Sequence, residues 1–171
     1  MNRFAYMVLV AVGPLLGAAI DAGLAGRMDL LGFTPKFALM IMAMGCLYTT
    51  RAQGAGLGFA TGLAQGALAG ANPAMYLGTR TVVGFLASWS RVWQLEPTPL
   101  MTALFTTAVT LIAEILLMLV AGPSDIGAYL WATIRVAPAN GVLAGLLTLL
   151  AWRLTRRRGG LGLRSTRYEQ R

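Results

Sequence analysis

"GAGLGFATGLAQGALAG", residues 54–70, repeats glycine at every fourth position, at Gly54, Gly58, Gly62, Gly66 and Gly70. Glycine inside a soluble helix costs about 1 kcal/mol relative to alanine. A step of four residues turns about 400° on a helix of 3.6 residues per turn, so the five glycines form one stripe that winds slowly round the helix. The stripe predicts a helix that other helices approach closely.

The composition indicates that this helix lies in a membrane. The chain of 171 residues is 57% hydrophobic and 12% charged, with a mean hydropathy of +0.66, whereas a soluble domain is about a quarter charged. In lipid, small residues let helix backbones approach and gain dispersion contacts. We therefore expect the five glycines to serve helix packing or partner docking, and Ala38, in the preceding apolar window, to face lipid. The alternative is a glycine-lined path for a ligand or ion.

Six apolar windows approach the roughly 20 residues that cross a hydrocarbon core. The connections between them are too short for a soluble domain, so the sequence predicts one all-α domain, a bundle of six transmembrane helices, with Pro14 bending the first. A basic tail that is partly disordered follows. The predicted spans are residues 4–23, 33–50, 54–71, 74–90, 99–121 and 129–152, and the tail is residues 153–171.

The net charge of +8 does not indicate nucleic acid, because the arginines are concentrated in the tail. With both termini in the cytoplasm, the inner side receives Arg3, Arg51, Arg91 and the tail. The outer side receives Arg27, Lys36, Asp21, Asp29 and Asp125. This distribution follows the positive-inside rule and places the tail beside anionic membrane lipid. The alternative is that the first segment is a cleaved signal peptide, which leaves five spans.

Three ionisable side chains inside the predicted spans lie at one depth, about 10 Å below the outer surface: Arg80, Glu114 and Arg135. An intramembrane charge costs at least about 2.5 kcal/mol unless it is paired or hydrated. We expect Glu114 to accept hydrogen bonds from Arg80, Arg135 or both, with Gln65 at a similar depth and Asn140 deeper. This intramembrane polar cluster is either a structural ion pair that fixes the helix order or a binding site for an anionic or polar group.

The sequence contains no histidine, which excludes histidine-based zinc sites and serine-histidine dyads. It also shows no pair of carboxylates in one cleft, no aspartate-rich metal motif and no nucleophile beside a base. We therefore expect no catalytic residues, no metal and no cofactor. The single Cys46 has no intramolecular disulfide partner.

From about Phe33 to Arg158 the order of features resembles the family of the rod-shape-determining protein MreD. The family's third span carries a glycine-rich element, its next helix a Gly-aromatic-Leu element, and its last helix a proline and an asparagine near the start. Gly66 stands where many members have an aspartate, which is a departure from the pattern. The matching residues are Gly62, Leu63, Gln65 and Gly70, then Gly84, Phe85 and Leu86, and finally Pro138 and Asn140.

The resemblance implies a non-enzymatic scaffold subunit of the bacterial cell-elongation machinery, in the inner (cytoplasmic) membrane. Such a subunit docks a bitopic MreC-like protein through small-residue helix faces, and is linked through it to MreB filaments and to peptidoglycan synthases. The family is also similar in fold to the S components of energy-coupling-factor transporters. The alternative function is therefore a substrate-binding membrane subunit of a vitamin-type solute transporter, with Gln65, Arg80, Glu114 and Arg135 in its pocket. A lipid-handling protein is a third possibility.

Overall fold

The computed structural model describes residues 3–24, 34–70, 72–91 and 98–159. Within these ranges the chain is all-helical, as the composition and spacing predict, with six α-helices and no strand. A 3-10 turn, Ser88–Arg91, follows the fourth helix directly. The helices are α1 (Arg3–Leu24), α2 (Phe37–Cys46), α3 (Arg51–Ala69), α4 (Pro73–Ala87), α5 (Pro99–Ala121) and α6 (Ile126–Gly159).

Three of the described helices are long and apolar enough to cross a membrane, over Tyr6–Leu24, Pro99–Ala121 and Ile126–Leu154. They indicate a membrane protein. The six crossings of the sequence analysis remain a prediction, since α2, α3 and α4 do not meet the same criteria of length and hydropathy. α6 extends past residue 152 into the first part of the predicted tail, whereas residues 160–171, like Arg27, lie outside the described residues.

The second predicted span, residues 33–50, contains a helix of only ten residues. At 1.5 Å per residue α2 is about 15 Å long, half of a hydrocarbon core. Its N-terminus is capped by a distant carboxylate: Asp21 of α1 accepts hydrogen bonds from the backbone N–H groups of Phe37 (2.6 Å) and Ala38 (3.2 Å). A carboxylate suits the positive end of a helix dipole. The chain therefore holds a half-length helix here in place of the continuous span that the apolar window predicts.

α2 lies in the centre of the bundle and contacts each of the other five α-helices described. Its side chains Leu39, Met42 and Cys46 are fully buried. Ala38 is buried as well, with no exposed surface, and a Cβ at Gly17 of α1 would lie 2.6 Å from the Ala38 Cα. The prediction that Ala38 faces lipid was wrong, because α1 packs against the side of α2 that carries Ala38.

α3 and α4 form a tight antiparallel hairpin. A capping box starts α3, in which the Gln53 N–H donates to the Thr50 hydroxyl and the Thr50 N–H donates to the Gln53 side chain. Asn72 caps α4, whose first residue is Pro73, a favoured residue at that position. The hairpin brings the glycine-rich face of α3 against α4 along its whole length.

Four of the five spaced glycines make this approach possible. A Cβ at Gly62 would lie 2.6 Å from the Tyr76 carbonyl oxygen, and one at Gly66 would lie 2.7 Å from the Pro73 Cα. A Cβ at Gly58 would overlap the Arg80 carbonyl, and one at Gly54 would overlap the Ser88 side chain and the Gly84 carbonyl. The backbone of α4 thus occupies the space that side chains on α3 would need.

Gly70 has a different role from the other four. It ends α3 with a φ of +61°, in the left-handed region, and a Cβ there would meet no atom within 4 Å. Residues with a Cβ rarely adopt this conformation, whereas glycine does so readily. The prediction that Gly70 belongs to the packing stripe was therefore wrong, because a turn requires the glycine at this position.

Candidate functional site

Arg80 joins three helices at the centre of the polar cluster. Its side chain, on α4, is 0% exposed. The Nε donates to the Gln65 side chain of α3 (2.9 Å), one terminal nitrogen donates to the Ala113 carbonyl of α5 (2.7 Å), and the other donates to a Glu114 carboxylate oxygen (2.7 Å). Every nitrogen of the guanidinium has an acceptor, as a buried arginine requires.

Glu114 accepts from three donors on three separate segments. Its side chain is 1% exposed. One carboxylate oxygen accepts from Arg80, while the other accepts from the Lys36 ammonium (2.5 Å) and from the Tyr129 hydroxyl of α6 (2.7 Å). Glu114 lies seven residues before the end of α5 at Ala121, about 10 Å along the axis. Two cations and a phenol thus stabilise one carboxylate at that depth.

Lys36 belongs to a short non-helical segment, residues 34–36, that leads into α2. Asn140 of α6 pairs with its backbone in both directions: the Lys36 N–H donates to the Asn140 side-chain oxygen (2.9 Å), and the Asn140 amide donates to the Lys36 carbonyl (3.2 Å). The same amide lies 3.4 Å from the Thr110 hydroxyl of α5. Backbone outside a helix needs such partners in a membrane, so Asn140 holds Lys36 in position for Glu114.

A cavity of about 350 Å³ adjoins this network, between α1, the start of α2, α3 and α4. Its volume falls in the range of small-molecule sites, about 300–1,000 Å³. The apolar lining residues are three alanines and Leu68. The polar side chains at its wall are Asp21, Lys36, Gln65, Tyr76 and Arg80.

The structure brings four of the five predicted cluster residues together. Gln65, Arg80 and Glu114 are directly bonded, and Asn140 joins them through Lys36. Of the two arginines expected to donate to Glu114, Arg80 does so and Arg135 does not, so the placement of Arg135 in the cluster was wrong. Arg135 is exposed on α6, with its guanidinium 4.5 Å from the centre of the Trp131 ring one turn earlier. Tyr129 approaches Glu114 from α6 instead.

Sequence reasoning missed Asp21, Lys36 and Tyr129 as members of the site. Asp21 and Lys36 were assigned to the outer surface by the charge distribution, yet Asp21 lies within the first predicted span, where an acidic side chain needs a partner. Lys36 follows Pro35 near the start of an apolar window, a pattern that indicates a delayed helix start. Tyr129 carried no signal that separates it from an ordinary interfacial tyrosine.

Comparison of the chain with models of known protein families, with curated proteins and with solved structures found no match. Within the described residues, no group of three or more His, Cys, Asp or Glu side chains is placed to hold a metal ion. The fold and the site therefore define a class only: an all-helical membrane protein in which buried ion pairs border a polar cavity.

Proposed function

We propose that this protein is a non-enzymatic scaffold subunit of the bacterial cell-elongation machinery, similar to MreD, with six membrane crossings and both termini in the cytoplasm. One observation supports it above the others: the residues that carry the resemblance include the contacts that assemble the helices. Gly62 lies against Tyr76, Gln65 accepts from Arg80, and Asn140 holds Lys36. Three residues of the resemblance thus hold helices of this chain together.

The scaffold needs a surface for a partner helix, and the spaced glycines do not supply it. Gly54, Gly58, Gly62 and Gly66 face α4 of the same chain, so the space beside them is already filled. Three other residues of the resemblance are exposed and apolar: Leu63 on α3, and Phe85 and Leu86 on α4. The proposal therefore assigns the transmembrane helix of an MreC-like protein to the exposed face of the α3–α4 hairpin.

Gly66 is the position at which this chain departs from the family pattern. A Cβ at this position would lie 2.7 Å from the Pro73 Cα, so the aspartate that many members carry there does not fit between α3 and α4 as they are packed here. The proposed scaffold therefore works without that acidic group, and Gln65 is the polar residue that this part of α3 turns to Arg80.

Co-purification tests the proposal. The tagged protein is isolated from its native membrane in mild detergent, and bound proteins are identified by mass spectrometry beside an unrelated six-span control. Recovery of a bitopic MreC-like protein with peptidoglycan synthases is expected. Phe85→Ala should lower that recovery several-fold, while Leu146→Ala, a truncation of an exposed apolar residue on α6, should not. Absence of both partner classes from the purified material contradicts the scaffold.

The cavity favours a second candidate, the substrate-binding subunit of a small-solute transporter. Gln65 and Arg80, two of the four residues expected in such a pocket, lie in the cavity wall, whereas Arg135 does not. On this function the same co-purification recovers ATPase subunits in place of wall synthases. The two candidates are thus separated by the partners that one experiment identifies.

A further inference from the structure

The backbone just before α2 lies beside the cavity. Residues 34–36 are non-helical and lie level with Glu114, since Lys36 bonds both Glu114 and Asn140. Non-helical backbone at membrane depth is tolerated where it is buried in protein or lines a polar cavity. Here the non-helical segment ends at the cap that Asp21 provides, and Asp21 and Lys36 both line the cavity.

The four charged side chains around the cavity have no net charge, but they differ in how completely they are buried and paired. Lys36 and Arg80 are opposed by Asp21 and Glu114. Arg80 and Glu114 are fully buried and bonded to each other, whereas the Lys36 side chain is 33% exposed and Asp21 is half-buried.

The Lys36 ammonium has three hydrogens and makes one hydrogen bond within the described residues. The Asp21 carboxylate has about four acceptor sites and binds two backbone N–H groups and the Gln65 side chain. The Lys36 cation and the Asp21 anion therefore both keep hydrogen-bonding positions that a ligand in the cavity could use.

An aromatic wall completes the site. Tyr76 lines the cavity, and the guanidinium of Arg80 lies 5.7 Å from the centre of its ring. The face of a tyrosine ring attracts cations. Ala18, Ala22 and Leu68 also line the cavity and provide apolar surface, which suits a short carbon chain between two charged ends.

We propose that this cavity binds a net-neutral, zwitterionic group, with its anionic oxygen on Lys36 and its ammonium on Asp21 beside the Tyr76 ring. An occupant with net charge would leave one charge uncompensated in a poorly solvated site, which is costly. The chemistry fits the head group of phosphatidylethanolamine and also a free solute with the same two ends. The site is independent of the partner proteins proposed above, so its failure and theirs are distinguishable.

The test uses the full-length protein in nanodiscs, with two probes. Glycerophosphoethanolamine, the soluble zwitterion, is titrated in phosphatidylglycerol nanodiscs and its binding is followed by calorimetry. Phosphatidylethanolamine is introduced at increasing fractions, and the lipid retained by the protein is counted by native mass spectrometry. Saturable binding of either probe is expected: binding of the soluble probe assigns a free solute, and retention of the lipid alone assigns a head group.

Two matched tryptophan variants localise the binding. Ala69 lines the cavity, whereas Ala67 is exposed on the same helix and does not. Ala69→Trp should weaken binding about tenfold or more by filling the space, and Ala67→Trp should leave it unchanged. Asp21→Asn, which keeps one capping oxygen but loses the charge, should weaken binding by about tenfold as well, the effect of one charged hydrogen bond. Failure of both probes to bind, or equal binding by Ala69→Trp and the unmodified protein, overturns the proposal.

Discussion

At the scale of the residue, the fold depends on Glu114 and the two cations that share it. Arg80 and Glu114 have almost no exposed surface, and each supplies the opposite charge that makes burial of the other tolerable. Removing one partner of a buried pair leaves an uncompensated charge, which costs more than the pair itself contributes. The network should therefore be intolerant of single changes and more tolerant of paired ones.

Arg80→Met is expected to lower the free energy of unfolding by about 3–5 kcal/mol. The reason is that Gln65, the Ala113 carbonyl and one Glu114 oxygen all lose their donor. The measurement is reversible unfolding in detergent micelles, followed by tryptophan fluorescence. Glu114→Leu should cost more, because it leaves Arg80 buried without a counter-charge, whereas Arg80→Met leaves Glu114 bonded to Lys36 and Tyr129. The double variant should regain part of the Glu114→Leu loss, because the buried arginine is then removed as well.

Arg135→Gln is the matched control for that experiment. Arg135 is exposed and stacks on Trp131, an interaction worth about 0.5–1 kcal/mol at an exposed site. Its replacement should therefore change the free energy of unfolding by less than 1 kcal/mol or so. An effect as large as that of Arg80→Met would show that Arg135 takes part in the buried network after all.

Asn140→Leu should destabilise the protein through the Lys36 backbone. The substitution leaves the Lys36 N–H without its partner, while the Lys36 carbonyl keeps only the Met40 N–H. A buried polar group left unpaired costs about 1–3 kcal/mol. The unfolding midpoint should fall, and hydrogen exchange of the backbone amide of Lys36 should become faster. Thr110→Val removes only the 3.4 Å contact to the same amide and should have a smaller effect; equal effects of both variants would contradict the role given to Asn140.

At the scale of the element, the α3–α4 hairpin is the part of the fold most strongly determined by its sequence. Glycine every four residues predicts a close approach on one face, and Gly54, Gly58, Gly62 and Gly66 make that approach. The spacing does not identify the partner helix, since periodicity defines a face and not what covers it. It also does not separate Gly70, which shares the spacing and is required by a turn.

The start of α2 could not be predicted from the sequence, because it too depends on a contact with another helix. The apolar window 33–50 is long enough for a full span, but the helix begins only at Phe37, where Asp21 caps it from 16 residues earlier in the chain. A cap supplied by another helix leaves no local pattern. The central position of α2 then decides the burial of Ala38, which hydropathy alone assigned to lipid.

Gly62→Leu should separate α3 from α4, whereas Gly78→Leu should be tolerated. A Cβ at Gly62 would lie 2.6 Å from a backbone oxygen, while one at Gly78 would meet nothing within 4 Å. Overpacking costs about 1–3 kcal/mol or more when backbone must move, and leucine has a higher helix propensity than glycine. The unfolding midpoint of the Gly62 variant should therefore fall while that of the Gly78 variant is unchanged or higher. Equal midpoints for the two variants would contradict the packing of the hairpin.

At the scale of the whole molecule, the polar cluster shows what a sequence can and cannot predict. The cost of an intramembrane charge is general, so Arg80 and Glu114 were predicted to meet from their depth alone. Lys36 reaches Glu114 only because the half-helix α2 begins late and Asn140 holds the preceding backbone. That contact depends on the arrangement of four segments, and no single stretch of sequence encodes it.

The proposed six-span bundle requires that α3 and α4 cross the membrane, and the cavity then opens on the side opposite to the start of α3. Labelling of single cysteines with a membrane-impermeant reagent in intact cells tests it most directly. Ala52, Ala74 and Ser124 are exposed, at the start of α3, the start of α4 and the connection from α5 to α6, while the native Cys46 is buried and serves as an unlabelled background.

Ala74→Cys and Ser124→Cys should both be labelled from outside, and Ala52→Cys only after the membrane is permeabilised. Labelling of positions 52 and 74 from the same side would mean that α3 does not cross the membrane. That result would contradict both the six-span bundle and the outward-facing cavity.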